Sequence, residues 1–379
     1  MRRKICFVVA VPITAKAFLR DHMQALSKDY DIYLMGHITD KESVKDLPLT
    51  GFISIDIERS ISIVKDCGSV YQAWKYFKKM RFDAVHSVTP KAGLVTAIAG
   101  WLAGVKHRTH IFTGQVWATR KGMMRGVLKT IDKIIAKLDN HILVDGKSQR
   151  KFLIDEGILK EGQAEVFANG SIAGVNAERF SPNKKVRDEE RDKIGINKDA
   201  LTYIFLGRLN RDKGINELFA AFNRLAGEEN DVFLLVVGYD EENFAEKVED
   251  YPNIKEGNNF YCYGPTRVPE RVLNAGDIFI LPTYREGFGS SVIEAASVGL
   301  PCICSDAYGV LDAYKDRVTG LRCHVGDVQS LYECMKEMHD DRTMVKQMGE
   351  NSRNRALHDF NVEPIVRCWV NFYHDILRV

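Results

Sequence analysis

Residues 277–296 have the sequence DIFILPTYREGFGSSVIEAA. The apolar opening of this stretch, 277–281, predicts a buried strand. The loop that follows contains glycines, which allow a ligand to approach the backbone closely. A helix then begins at Ser290 or Ser291, and its free N–H groups and dipole favour a phosphate. The stretch therefore predicts a strand, a loop and a helix that together bind an anion.

Two carboxylates frame this predicted anion site from opposite ends. Glu286 lies in the loop, and Glu294 falls in the first turns of the helix. One carboxylate can reach the hydroxyls of a sugar and the other those of a ribose. As an alternative, Glu294 is only a favourable acid near a helix N-terminus, which contributes on the order of a few tenths of a kcal/mol. That alternative leaves the glycine loop unexplained.

Two cations precede another predicted helix in the same half of the chain. Arg208 follows the predicted strand 201–206, and Lys213 comes just before the helix predicted from residue 214. A diphosphate leaving group needs fixed positive charge, which Arg supplies as a planar fork of donors and Lys as a mobile point charge. Taken alone, the two side chains would be interpreted as surface loop charges.

Apolar runs alternate with amphipathic segments, which predicts parallel sheets covered on both faces. The predicted strands are 5–11, 31–36, 83–88, 108–113, 141–145, 201–206, 232–237, 277–281 and 301–304. The predicted helices are 16–28, 69–80, 91–104, 123–138, 214–227, 268–274 and 290–298. Residues 181–194 are charged and poor in apolar side chains, so we interpret them as a connector. The expected fold class is α/β, with two Rossmann-like, doubly wound domains facing a cleft.

Composition narrows the class of protein further. No apolar run approaches the roughly 20 residues of a membrane span. The eight cysteines are scattered without a metal-binding spacing, which favours a reducing cytoplasm. Residues 1–180 carry 28 Lys and Arg against 18 Asp and Glu, whereas the remainder carries 25 against 33. The basic half can therefore face an anionic membrane or an anionic substrate.

Two further motifs bear on the class of protein. One is absent from the chain, and the other is present by chance. Neither half shows GxGxxG after its first strand, which disfavours a dinucleotide-binding dehydrogenase. The DxD at 29–31 matches a signature that binds a metal and a diphosphate in enzymes of another fold, but it lies far from any glycine loop. In a chain with 51 acidic residues, we interpret it as a chance match.

The motifs together resemble those of retaining family-4 glycosyltransferases. Glu286 and Glu294, with seven residues between them, are similar to the E-x7-E signature of the family, and Arg208 with Lys213 is similar to its phosphate-binding pair. Further similarities lie at 83–93, 169–180 and 362–377. The resemblance covers nearly the whole chain and is closest to the branch that acts in capsule and lipid-linked oligosaccharide synthesis.

This resemblance implies the GT-B fold, with the acceptor bound by the first domain and the donor by the second. The boundaries expected on this basis are 1–178 for the first domain, joined by a last helix within 358–379 that crosses back to it, and 179–357 for the second domain. The resemblance also implies hexosyl transfer with retention of configuration, without a metal or a cofactor. The nucleotide sugar is then a substrate, and UDP is the expected nucleotide.

Roles for single residues also follow from the resemblance. Arg208 and Lys213 bind the diphosphate and Glu286 holds the hexose, so these three are the expected catalytic residues, while Glu294 binds the ribose. Backbone amides support the diphosphate along Gly287, Phe288, Gly289, Ser290 and Ser291. The leaving phosphate accepts the proton of the acceptor in front-face attack. Double displacement through a carboxylate nucleophile is the older alternative.

The first domain departs from the family pattern at three places. Many relatives carry a catalytic His where this chain has Thr113, and a second His where it has Val88. The Gly-Gly turn after the first strand is replaced by Pro-Ile-Thr at 12–14. His110 lies inside a predicted strand, and we interpret it as a buried, hydrogen-bonded residue rather than a ligand-side one.

An undecaprenyl-diphosphate-linked sugar is the acceptor expected for this branch of the family. The expected acceptor-side residues are Thr14, Lys91, Thr113 and Lys121. The two lysines are candidates for contact with the diphosphate of this polyprenyl-linked acceptor. Ordinary surface lysines are the alternative for both.

The segment 120–139 predicts a basic amphipathic helix. Its cations are spaced four apart, at Lys121, Arg125, Lys129, Lys133 and Lys137. Its apolar side is formed by Met124, Val127, Leu128, Ile131, Ile134, Ile135 and Leu138. A core-packed helix explains this pattern alone, but a basic domain with a lipid-linked acceptor favours docking on an anionic membrane surface. The expected location is the cytoplasmic, inner face of a bacterial cell membrane, and no nucleic-acid partner is predicted.

The expected function is transfer of an N-acetylhexosamine from UDP to a lipid-linked precursor of capsule or O-antigen. A UDP-sugar 2-epimerase of the same architecture is one alternative, but it needs acids and histidines converging on one sugar, and no such cluster lies beside 286–289. A catalytically silent nucleotide-sugar-binding subunit is another alternative. The presence of both glutamates and both cations disfavours it.

Overall fold

The computed structural model of the chain describes residues 2–57 and 63–378. The chain divides into two compact units. The first unit comprises Met1–Gly174 with Val362–Val379, and the second comprises Val175–Asn361. Each unit has one parallel sheet and its own hydrophobic core.

The strands are short, and most of their residues are buried. They are β1 (Lys4–Val8), β2 (Asp31–Gly36), β3 (Gly51–Ser54), β4 (Ala84–Val88), β5 (His107–Phe112), β6 (His141–Val144), β7 (Ala164–Glu165), β8 (Leu201–Leu206), β9 (Val232–Val237), β10 (Phe260–Gly264), β11 (Ile278–Leu281), β12 (Cys302–Ser305) and β13 (Gly320–Cys323). Every residue of β9 and of β11 is buried, as expected for parallel strands covered by helices on both faces.

Helices follow most strands. They are α1 (Pro12–Phe18), α2 (Arg20–Leu26), α3 (Ile63–Met80), α4 (Pro90–Ala103), α5 (Gly122–Leu138), α6 (Lys147–Asp155), α7 (Lys184–Ile194), α8 (Ile215–Glu228), α9 (Phe244–Lys247), α10 (Pro269–Leu273), α11 (Ser290–Val298), α12 (Val328–Asp340), α13 (Arg342–Asp359) and α14 (Val362–Leu377).

Both sheets are doubly wound. Their strand orders are β3-β2-β1-β4-β5-β6-β7 in the first unit and β10-β9-β8-β11-β12-β13 in the second. The order reverses between β1 and β4 and again between β8 and β11. Ligands of such sheets bind outside the carboxyl ends of the strands at these reversal points. The predicted α/β class with two Rossmann-like domains is confirmed.

The prediction that 181–194 is a connector is wrong, because most of this segment forms α7 in the second unit. Asn183 caps this helix by accepting the N–H of Val186, and Gly195 ends it with a φ of +86°. The helix docks through a buried arginine as well as through the apolar side chain of Ile194. Arg191 is almost fully buried and donates to the carbonyl oxygens of Asn197 and Ala200. A charged sequence therefore concealed a well-anchored helix.

The predicted helix 16–28 is also revised, since it forms two shorter helices. Pro12 begins α1 earlier than predicted, because proline is suited to the first turn of a helix. Leu19 separates α1 from α2, and its side chain is buried. The apolar periodicity thus continued through a junction that it did not reveal.

The last helix, α14, completes the core of the first unit. Trp369 is fully buried, and its ring stacks on His22 and His86 with centroids 4.4 and 4.8 Å away. The hydroxyl oxygen of Tyr373 lies 2.8 Å from Nδ1 of His86. Burial lowers the pKa of His22 to about 4, so this packing holds a neutral imidazole.

We expect Trp369→Ala to lower the free energy of unfolding by about 3–5 kcal/mol, because it removes a large, fully buried side chain. Urea denaturation followed by circular dichroism measures this change. The matched control is Arg367→Ala on the exposed side of the same helix, with an expected change within about 0.5 kcal/mol. Equal losses in the two variants would contradict the packing role assigned to Trp369.

Candidate active site

Two loops of the second unit meet at the reversal point of its sheet. One loop follows β8 and leads into α8, and the other follows β11 and leads into α11. Gly214 ends the first loop with a φ of +73°, and a Cβ there would overlap the carbonyl oxygen of Pro282 in the second. Only glycine permits this approach, so the two loops form one continuous surface.

Asp212 joins these loops through both its backbone and its side chain. Its carbonyl oxygen accepts the N–H of Tyr284 at 2.8 Å and the hydroxyl of Thr283 at 3.0 Å. Its carboxylate accepts two bonds from the guanidinium of Arg285, at 2.7 and 2.9 Å. The motifs did not point to these residues. Their position in the sequence could have indicated them, because Asp212 follows β8 and Arg285 follows β11, and these two strands are neighbours in the sheet.

The structure brings two predicted catalytic residues together. The ammonium of Lys213 and the carboxylate of Glu286 form a direct ion pair across the two loops. Both side chains are largely buried, at 16% and 15% exposed, which strengthens their interaction relative to a surface pair. A cation, Lys213, and a hydrogen-bond acceptor, Glu286, are therefore in contact close to where α11 begins.

Arg208 lies in the same loop as Lys213, but it has a different partner. Its guanidinium donates to both carboxylate oxygens of Glu241, at 2.9 and 3.0 Å, in the loop after β9. Asn210 donates to the same carboxylate at 2.7 Å. Sequence reasoning missed Glu241, because it lies outside every motif. Half of the Arg208 side chain remains exposed to solvent.

The glycine loop before α11 is fixed by its packing. Phe288 is buried and packs edge-on against Phe360, with ring centroids 5.2 Å apart. A Cβ on Gly309, whose φ is +84°, would overlap the carbonyl oxygen of Glu286. The Phe288 side chain therefore anchors the loop to the core. Of Phe288 itself, only the backbone can contact a ligand.

The N-terminus of α11 has no side-chain cap. Gly289 occupies the cap position with a φ of +89°, so the first N–H groups of the helix have no capping side-chain oxygen. Gly287 is buried in the loop, while Ser290 and Ser291 are half-buried. The predicted backbone donors from Gly287 to Ser291 thus run from the loop into the first turn of α11. Such a turn can bind an anion such as a phosphate.

Glu294 lies one turn further along α11. Its side chain is half-buried, and the surrounding protein raises the pKa of Glu294 to about 7 through desolvation. The charge of Arg179 opposes this shift, and that of Glu270 adds to it. Arg179 itself pairs with Glu270 at 2.8 Å. Glu294 is thus a carboxyl group that changes charge near neutral pH.

The acceptor-side residues of the first unit are only partly brought together. Thr14 and Lys91 line a chamber of about 610 Å³ at the carboxyl ends of β1 and β4. Thr113 lies after β5, and its carbonyl oxygen accepts the Nε2 donor of Gln149 at 2.6 Å. Lys121 is exposed just before α5. His110 is buried with Nδ1 2.8 Å from the hydroxyl of Ser87, and burial lowers the pKa of His110 to about 3.

The basic helix α5 differs from the sequence prediction on both faces. Arg125 and Lys129 both pair with Glu156, so two of the five predicted stripe cations are engaged within the protein. The predicted apolar side is not wholly packed, because Met124 is 51% exposed and Val127 is 45% exposed. The helix therefore presents an apolar strip to solvent, with Met123 at its beginning.

The two Rossmann-like units have the GT-B fold. Residues 186–355, within the second unit, match the family described as "Glycosyl transferases group 1". The motifs around Arg208 and Glu286 lie inside this matched segment. Within the described ranges, no helix is long and apolar enough to cross a membrane.

Known proteins resemble the chain over most of its length. It is 28% identical over 324 residues to the capsular polysaccharide biosynthesis glycosyltransferase CapM of Staphylococcus aureus, covering 86% of this chain and 85% of that protein. It is 26% identical over 386 residues to UDP-Gal:alpha-D-GlcNAc-diphosphoundecaprenol alpha-1,3-galactosyltransferase of Escherichia coli, covering 99% and 97%. The structure of Anabaena Alr3699/HepE in complex with UDP-glucose superposes with a TM-score of 0.82 at 16% identity, covering 98% and 99%. This last likeness concerns the fold.

The raised pKa of Glu294 has a measurable effect on stability. The folded protein holds the Glu294 proton up to about pH 7, whereas the unfolded chain releases it near 4.5. The stabilisation from this group is therefore present below pH 4.5 and is lost as the pH rises towards 7. We expect Glu294→Gln to gain stability relative to the wild type between pH 5 and pH 8, measured by urea denaturation at both values. A difference that does not change with pH would contradict the raised pKa.

Proposed function

We propose that the chain transfers a hexosyl residue, with an N-acetylhexosamine as the expected sugar, from UDP to an undecaprenyl-diphosphate-linked sugar, with retention of configuration, in capsule or O-antigen synthesis. The observation that carries the donor side is the meeting of Lys213 and Glu286 beside the uncapped N-terminus of α11. The acceptor class draws support from the names of the relatives, one a capsular polysaccharide enzyme and one an enzyme of diphosphoundecaprenol-linked sugar.

In this proposal the diphosphate binds between the cations and the helix. Arg208 and Lys213 approach it from one loop, and the N–H groups of Ser290 and Ser291 approach it from α11. The negative charge on the diphosphate grows as the bond to the sugar breaks. Fixed cations and amide donors stabilise that charge without reorganisation at the moment of reaction. The chain's own residues thus supply the electrostatic stabilisation.

The two ion pairs of the ligand-free protein prepare this site. Arg208 is held by Glu241 in a half-exposed pair, and such pairs contribute only about 0–1 kcal/mol, so a diphosphate can replace the carboxylate at little cost. Lys213 neutralises Glu286. When a phosphate draws Lys213 away, the carboxylate of Glu286 becomes an acceptor for sugar hydroxyls. Nucleotide binding and sugar binding are then linked.

The proton of the acceptor hydroxyl goes to the leaving phosphate in this mechanism. Thr113 stands where the family resemblance implies a histidine. Its backbone carbonyl oxygen accepts a hydrogen bond from the side chain of Gln149. His110, the nearest histidine in the sequence, is buried and neutral, so it is unsuited to accept a proton from a bound substrate. Front-face attack assisted by the phosphate needs no protein base.

We expect UDP to stabilise the wild-type protein more than GDP, dTDP or CMP does in thermal unfolding. A ligand at about a hundred times its dissociation constant adds roughly 2.7 kcal/mol to stability. Arg208→Ala and Lys213→Ala should lose most of this shift, because each removes a cation from the diphosphate site. The matched control is Arg211→Ala, an exposed arginine of the same loop that pairs with Glu242 and should retain the shift.

Two outcomes would contradict this assignment. An equal loss of the UDP shift in Arg211→Ala would show that general positive charge, rather than the proposed pair of cations, binds the nucleotide. The absence of any nucleotide shift in a folded wild-type protein would contradict a donor site in the second unit. A transfer assay then identifies the donor. Its labelled donors are UDP-linked galactose, glucose, N-acetylgalactosamine and N-acetylglucosamine, and its acceptor is a prenyl-diphosphate sugar.

The membrane side of the proposal rests on α5. Its exposed apolar strip of Met123, Met124 and Val127 lies close in sequence to the exposed cations Lys121 and Lys133. A strip of this kind can enter the headgroup region while the cations contact anionic lipids. The protein would then reach a lipid-linked acceptor from the membrane surface.

We expect Lys121→Gln combined with Lys133→Gln to weaken binding to anionic vesicles roughly thirtyfold, because each lysine near such a surface contributes about 1 kcal/mol. Co-sedimentation with vesicles at low salt measures this change. The matched control is Lys184→Gln combined with Lys185→Gln on the exposed face of α7, which should bind as the wild type does. Equal binding of the wild type to neutral and anionic vesicles would contradict electrostatic docking.

A further inference from the structure

The chamber in the first unit has apolar walls. Leu94 contributes from α4, Trp117 from the turn after β5, and Met124, Leu128 and Ile131 from α5. The indole N–H of Trp117 donates to the buried carboxylate of Asp132 at 2.7 Å, which fixes the ring in the wall. The chamber has a volume of about 610 Å³. Because its walls are apolar, the binding free energy is favourable when an apolar ligand replaces water there.

The lining of the chamber also includes charged groups, two cations and the carboxylates of Asp66 and Asp132. The cations are Lys91 and Arg120, and Nζ of Lys91 lies 2.7 Å from a carboxylate oxygen of Asp66. An ammonium has three N–H donors, so Lys91 can contact Asp66 and a phosphate oxygen together. Thr89 also lines the chamber, with a φ of +78°, and its buried hydroxyl oxygen has no hydrogen-bond partner among the residues that the structure describes. Strained backbone of this kind is typical of ligand sites.

The wall of the chamber that α5 forms is continuous with the exposed strip of the same helix through Met124. Met124 both lines the chamber and is half-exposed, and its neighbours Met123 and Val127 are 87% and 45% exposed. An apolar chain can therefore pass from the strip into the chamber along apolar surface. A sugar or a free phosphate would leave these walls without a matching partner.

We propose that the chamber binds the phosphate-proximal part of the prenyl chain of the acceptor, with its phosphate at Lys91 and Arg120. This inference rests on the proposed function, since it assigns a binding site to the lipid-linked acceptor of that reaction. Three observations carry it: the apolar walls, the two cations in the lining and the apolar path to the exposed face of α5. The protein then recognises the lipid itself as well as the sugar attached to it.

A chain-length series tests this assignment without any nucleotide. The probes are inorganic pyrophosphate and prenyl diphosphates of five, ten and fifteen carbons, used below their micelle-forming concentrations, with binding measured by calorimetry. The wild-type affinity should rise with chain length, because each methylene group that leaves water favours binding roughly fourfold until the chamber is full. Lys91→Met should weaken the binding of every probe, pyrophosphate included.

Two residues of α5 give the matched comparison. Leu128→Gln places an amide in the chamber wall, so it should remove most of the gain with chain length and leave pyrophosphate binding unchanged. Thr130→Gln changes an exposed side chain of the same helix that belongs neither to the chamber wall nor to the apolar strip, and it should keep the gain. Leu128→Trp, which fills the chamber with an apolar ring, tests the same point if the glutamine variant unfolds at a lower temperature.

The outcomes separate this inference from the proposed function. Equal wild-type affinity for all chain lengths, or loss of the gain in Thr130→Gln but not in Leu128→Gln, overturns the chamber as the prenyl site. Thermal stabilisation by UDP is measured on the same preparations. Its absence would overturn the proposed donor site, and it would leave the chain-length result standing.

Discussion

The close approach of two loops at the carboxyl edge of the second sheet is the constraint on which the candidate site depends. Gly214 lies against the carbonyl oxygen of Pro282, where no side chain fits, and Asp212 binds both the backbone and the side chain of the second loop. This arrangement brings Lys213 to Glu286 and holds both beside the start of α11. Without that approach, the cations and the carboxylates would be separate surface charges of little consequence.

The same topology produces a different environment in the first unit. Its reversal point between β1 and β4 opens into a chamber with apolar walls, rather than into a pair of glycine-bearing loops. Behind the sheet, α14 completes the core through Trp369, which stacks on two buried histidines. One fold thus supports an electrostatic site in one unit and an apolar one in the other, because the loops, not the sheets, determine the chemistry.

Much of the fold could be predicted from the sequence, because apolar periodicity reports burial directly. The predicted strands 31–36 and 232–237 agree with β2 and β9, and the last helix, which only the family resemblance implied, is also present. The failures share a physical cause. The helix α7 docks through Arg191, whose guanidinium bonds to buried carbonyl oxygens, and a charged sequence gives no sign of such an anchor. On α5, Arg125 and Lys129 are engaged by Glu156, a partner that lies 27 or more residues away in the sequence.

The sequence by itself indicated the class of the chain, through its resemblance to a known family, and the residues expected to meet a diphosphate, because a glycine loop before a helix offers free N–H groups beside nearby cations. Tertiary structure alone decided which of them touch: Lys213 pairs with Glu286, Arg208 turns to Glu241, and Phe288 points into the core. It also created the chamber, whose walls come from separate segments. Pairing and enclosure depend on distances across the fold, and no local pattern in a sequence encodes those distances.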